Sequence, residues 1–73
     1  MTNAQVRAAR GFLNWTVRQL AEAAGVHRNS ISNYETGRYT DPRTLDAIRA
    51  ALESAGVEFT NGDRPGVRLR GRK

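Results

Sequence analysis

Cysteine is absent from the 73 residues, so neither a disulfide staple nor a thiolate metal site is open to this chain. Histidine occurs once, too few for a zinc site, and the seven carboxylates fall at no ligand spacing. No apolar run approaches the roughly 20 residues of a membrane span, and no charged-then-apolar leader opens the chain. Lysine is nearly missing as well: eleven of the twelve cations are arginine, the side chain suited to bidentate contact with phosphates and guanine edges. The expectation is one soluble, cytoplasmic domain without metal or cofactor. Its net charge of +5 points to a polyanion rather than a small-molecule substrate. A chain this short buries only about 60% of its unfolded surface, so its core is marginal unless a partner or second copy helps.

Apolar residues set the element order. Val6, Ala9 and Leu13 recur at helical spacing from about Asn3 to Leu13, with Gln5 and Arg7 expected to turn away and Asn14 to stop the helix. Thr16 reads as an N-cap that forms a capping box with Gln19, and Trp15 is placed to staple against Leu20. That helix runs to Ala24, and Gly25 supplies the left-handed residue that ends it. A third helix spans about Arg28 to Thr36. Asp41-Pro42 opens a fourth, with Leu45, Ile48 and Leu52 inward, ending at Gly56. The period then changes to two: Val57 and Phe59, then Val67 and Leu69, alternate with polar residues around a turn-rich Asn61-Gly62-Asp63-Arg64-Pro65-Gly66. The predicted architecture is mostly α: a compact four-helix domain over residues 1–56, with a short C-terminal β-hairpin and basic tail over 57–73.

The join between the second and third helices is the informative feature. Only Val26 and His27 follow Gly25 before the next helix begins, so the two helices must cross steeply. Ala21 and Ala24 let their backbones approach, while Val26 and Ile31 plug the corner. This is helix-turn-helix geometry, in which the second helix of the pair stands proud of the body. On that helix Ile31, Tyr34 and Glu35 share the inward side, and Asn29, Ser32, Asn33 and Thr36 lie opposite, with Arg28 at the exposed tip. The outer side carries amides, hydroxyls and a guanidinium, but no apolar group and no acid. Arginine can pair with guanine O6/N7 and asparagine with adenine N6/N7. Without the adjacent turn, the same side would read as an ordinary solvated surface.

Arg10, Thr16, Leu20-Ala21, Gly25-Val26, Ile31, Glu35, Gly37, Pro42, Leu45 and Leu52 together resemble the lambda-repressor-like, Cro-type (XRE) helix-turn-helix DNA-binding proteins over about residues 4–56. The resemblance implies that the third helix enters the major groove of double-stranded DNA. It places base contacts at His27, Arg28, Asn29, Ser32 and Asn33. Phosphate or minor-groove contacts fall at Thr16, Arg18, Thr36, Arg38, Tyr39, Thr40 and Arg43. Arg43 sits where some relatives approach the operator centre, a place for reading groove width. The resemblance also pairs Glu35 with Arg10, a buried or half-buried ion pair that holds the recognition helix against the body. Three departures stand out. Val17 replaces a usual glutamine, His27 occupies a cap position usually held by Ser or Thr, and strand follows where relatives often carry a fifth, dimer-forming helix.

The segment from Val57 has three readings: packing of Val57, Phe59, Val67 and Leu69 on the fourth helix, strand pairing between two copies, or a basic arm of Arg64, Arg68, Arg70, Arg72 and Lys73. The leading functional expectation is a sequence-specific transcriptional regulator of bacterial or phage origin, a repressor binding an inverted repeat as a homodimer. The alternative is an antitoxin-like or adaptor protein, whose tail holds a protein partner while DNA binding serves autoregulation. An enzyme is not expected. Ser30 or Ser32 with His27 would share one short helix, without an orienting acid or a pocket-forming domain.

Overall fold

A computed structural model describes residues 1–60 and 66–69. The expected turn at 61–65, the chain end at 70–73, and with them Arg64, Arg70, Arg72 and Lys73 of the basic-arm reading, lie outside the described residues. Four helices precede one antiparallel strand pair: α1 (Asn3–Leu13), α2 (Val17–Ala24), α3 (Arg28–Glu35), α4 (Pro42–Ser54), β1 (Val57–Thr60) and β2 (Gly66–Leu69).

Local chemistry explains where each helix begins and ends. Thr16 accepts from the Gln19 N–H at 3.1 Å while the Gln19 side chain accepts from the Thr16 N–H at 2.8 Å, so two otherwise orphaned donors are satisfied. The same reciprocal box opens α1, formed by Thr2 and Gln5. Asn14 ends α1 in the left-handed region at φ 60°, where its short polar side chain is tolerated. Gly25 ends α2 at φ 71°. Asp41 caps α4, accepting from the Arg43 N–H at 2.8 Å, and Pro42 occupies the first turn, where a missing N–H costs nothing.

Val6, Ala9, Leu20, Ala21, Ile31, Ile48, Leu52 and Val57 form the buried core, so every helix and the first strand contribute to it. Leu13, Trp15, Val26, Tyr34 and Leu45 pack around its margin. The strands pair Val57 with Leu69 and Phe59 with Val67. β1 lies against α4 and β2 against α1. The hairpin is therefore part of the domain's own core: Val57 is buried, Phe59 and Val67 pack against it, and Leu69 alone of the four is 40% exposed.

One expectation fails. Gln5 does not turn away from the body; it is only 4% exposed, and its Nε2 donates to Thr60 O at 2.8 Å and Gly66 O at 2.7 Å. On a helical wheel position 5 borders the Val6–Ala9–Leu13 stripe, and the strands that cover this border need a donor for their carbonyls. Arg7 stays exposed, but its guanidinium reaches the Glu35 carbonyl near the end of α3.

Tyr34 ties α3 to the chain's beginning, its hydroxyl donating to Met1 O at 2.9 Å. Burial pushes its phenol above the ordinary value of 10.0. An acid raised on folding stabilises the fold below its unfolded value and loses that contribution as pH climbs through the folded one. Melting temperature should therefore begin to fall above about pH 10. The fall should be shallower in Tyr34→Phe; equal alkaline slopes for the two chains would contradict this.

Candidate nucleic-acid interface

The turn between α2 and α3 is closed by backbone alone. Gly25 N–H reaches Glu22 O at 3.3 Å and Val26 N–H reaches Ala21 O at 3.0 Å, leaving only Val26 and His27 before α3. Ala21, 5% exposed, gives the close approach that this corner requires. Ile31 is fully buried and anchors the inner side of α3, with Glu35 beside it at 7% exposure.

Glu35 meets Arg10 in a bidentate pair: Arg10 Nε to Oε2 at 2.7 Å and a terminal guanidinium nitrogen to Oε1 at 2.8 Å. A third Arg10 nitrogen donates to Trp15 O at 3.0 Å, so one guanidinium joins α1, the α1–α2 turn and α3. Hydrogen bonding to Glu35 raises the Arg10 guanidinium above its ordinary value and, with the carboxylate's charge, outweighs the desolvation that lowers it. Two consequences follow. α3 is fixed in orientation, and the one acid between residues 27 and 40 is buried and neutralised.

His27, Arg28, Asn29, Ser32 and Thr36 are exposed, and so they occupy one open side of α3. Asn33 is only half-buried, because the chain turns back across it after Gly37 and Arg38 N–H bonds to Asn33 O at 2.8 Å. The Thr36 hydroxyl donates back to its own helix, at Ser32 O (2.9 Å) and Asn33 O (3.1 Å). Thr40 Oγ1 is buried without a partner among the described residues, so of the expected phosphate ligands it is the one whose hydroxyl faces inward. Thr16 and Arg18 are exposed at the start of α2; the Thr16 hydroxyl is already held as a cap acceptor, and Arg18 lies 3.5 Å from Glu22 in an open i,i+4 pair. Arg38, Tyr39 and Arg43 are exposed in and just beyond the loop after α3, Tyr39 at 84%.

Arginines without a carboxylate partner are concentrated in this region. Arg10, Arg18, Arg49 and Arg68 each have a carboxylate partner within 4 Å. Arg7, Arg28, Arg38 and Arg43 have none among the described residues; Arg7 donates instead to the Glu35 carbonyl, and the other three belong to α3, its following loop and the first turn of α4. That stretch also holds the largest exposed aromatic, Tyr39. Sequence reasoning placed these cations but could not say which were free, since each partner is set by tertiary packing. Among the described residues no cluster of potential metal ligands occurs, and no helix is long and apolar enough to cross a membrane.

No curated protein matches the chain. A family model described as helix-turn-helix matches residues 6–59, about three quarters of the chain, from the middle of α1 into β1. The four helices, the tight α2–α3 turn and that match lead to one conclusion: this chain belongs to the helix-turn-helix family of the lambda-repressor and Cro (XRE) type, whose members are DNA-binding transcription regulators rather than enzymes.

Proposed function

We propose that the protein is a bacterial or phage repressor that binds an inverted-repeat operator as a homodimer, with α3 in the major groove of each half-site. The observation that carries this reading is the stretch of three carboxylate-free arginines around α3, beside an outer helix side bearing only hydrogen-bonding groups. In this reading His27, Arg28, Asn29, Ser32 and the accessible part of Asn33 face base edges. Arg18, Arg38, Tyr39 and Arg43, with the backbone N–H groups that begin α2 at Thr16, hold phosphates, and Arg43 lies toward the operator centre. Thr36 has spent its hydroxyl proton on α3 and serves as an acceptor or a steric contact, and Thr40 shapes the loop. The exposed Leu69 and the outer edges of the two-stranded sheet are the surfaces through which the hairpin joins two copies.

Affinity then comes mainly from phosphate neutralisation and falls steeply with salt, while specificity comes from α3. Selection of bound duplexes from a random pool tests the whole reading. The expected product is a palindromic consensus with half-sites about 10 base pairs apart, centre to centre. On that consensus, Arg28→Ala and Asn29→Ala should each cost about 1–3 kcal/mol, and much less on random duplex. Equal losses on both DNAs, or a selected site without symmetry, would contradict the assignment.

A further inference from the structure

His27 does more than occupy the start of α3. Its backbone is extended (φ −73°, ψ 141°), and its Nδ1 accepts the Asn29 N–H at 3.0 Å, so the imidazole is the helix's N-cap. A serine or threonine cap uses a hydroxyl that can rotate to donate or accept elsewhere. Imidazole cannot. A ring whose Nδ1 lone pair is committed to a backbone N–H carries its proton on Nε2, at the far side of the five-membered ring. That Nε2–H has no partner among the described residues, and the side chain is exposed at the N-terminal end of α3. N-terminal residues of a recognition helix are the ones that reach base edges.

We propose that His27 is a specificity-determining residue whose capping bond fixes its tautomer, so that it offers DNA a single, oriented donor and no acceptor. This rests on the reading of α3 as the groove-facing helix. A lone donor fits base edges that present an acceptor in the major groove: guanine N7 and O6, adenine N7, or thymine O4. It has nothing to accept the amino protons of cytosine N4, so cytosine alone of the four bases offers it no partner. The neighbouring Arg28 is also donor-only, so the first turn of α3 reads acceptors, whereas Asn29, which can both donate and accept, suits adenine. The cap thus acts twice, closing the helix and restricting what its first residue recognises.

Two measurements on the full chain test this. Long-range ¹H–¹⁵N correlation on the free protein should find His27 Nδ1 unprotonated and Nε2 protonated; the opposite tautomer overturns the proposal. Duplex selection is then run with the parent, His27→Ser and His27→Asn, both of which keep a capping oxygen, so helix content and melting temperature should stay close to the parent's. The expected result is one base position, next to the start of α3, at which the parent rejects cytosine and the serine variant accepts any base. Affinity of the serine variant for the parent's site should drop about 10-fold. An unchanged selected site would make His27 a cap only and overturn the proposal. A uniform loss on every duplex would place the donor on a phosphate and overturn it too. Failure of the parent itself to select any sequence would instead refute the proposed function, so the two outcomes stay distinct.

Discussion

Glu35→Gln is expected to destabilise the protein by about 3–5 kcal/mol, because it leaves a half-buried guanidinium without its counter-charge. The carboxylate is 7% exposed and meets Arg10 through two bonds of 2.7 and 2.8 Å. A glutamine can still accept one of them, but carries no charge and presents an amide donor to a cation. The effect is large for this molecule, since a 73-residue domain has roughly 4–11 kcal/mol of stability in all. Thermal unfolding should shift downward by at least about 12 °C, given roughly 4–8 °C per kcal/mol for domains of this size. Replacing both partners with apolar residues of similar volume should cost less than either single change, because no charge is then stranded. The Arg10 guanidinium, raised by Glu35, stays charged throughout the neutral range, so the loss in Glu35→Gln should be constant there. An unaltered melting temperature would mean that the pair is solvated and contributes little.

Gln5→Ala is the second large effect, at about 2–3 kcal/mol. Its side-chain amide serves three backbone groups at once: the carbonyls of Thr60 and Gly66, and the N–H of Thr2. Each buried group left unpaired costs about 1–3 kcal/mol, reduced where water can enter. The damage should be local. Two short strands are barely stable alone, and Gln5 is a polar tie between them and α1. Amide hydrogen exchange should speed up in β1 and β2 while α2 and α3 keep their protection. Uniform acceleration across the chain would show instead that the hairpin and helices open as one unit.

These two residues also mark what the sequence reveals and what it withholds. Helix limits were legible because they depend on neighbours in the chain: the Thr16–Gln19 box, Gly25, and Asp41-Pro42 each act within four residues. The hairpin was legible from its period of two, and its register of Val57 with Leu69 follows that alternation. Gln5 was not, since its burial is decided by strands 55 and 61 residues away. Yet Thr2 and Gln5 carry the same three-residue offset as Thr16 and Gln19, a signal that flags Gln5 as a structured residue even though it cannot reveal the hairpin contact. Around α3, the inward side was readable at Ile31 and Glu35 from helical geometry. The half-burial of Asn33 was not, because it comes from the path of the loop after Gly37. Nor was the inward hydroxyl of Thr40, which has no local determinant.

The two strands also pack on the helices. With Val57 in the core, β1 against α4 and β2 along α1, the two strands pack as part of the helical body. Dimerisation through this segment would therefore use what the core leaves over, chiefly Leu69 and the strand edges.

Amide shift mapping with a short duplex at low salt is the most direct measurement of where this molecule meets DNA. Changes concentrated in residues 27–33, near 16–18 and from 36 to 43, with α4 beyond its first turn and both strands nearly silent, are the expected pattern. Shifts centred on the hairpin, with Arg28 and Asn29 unmoved, would contradict it.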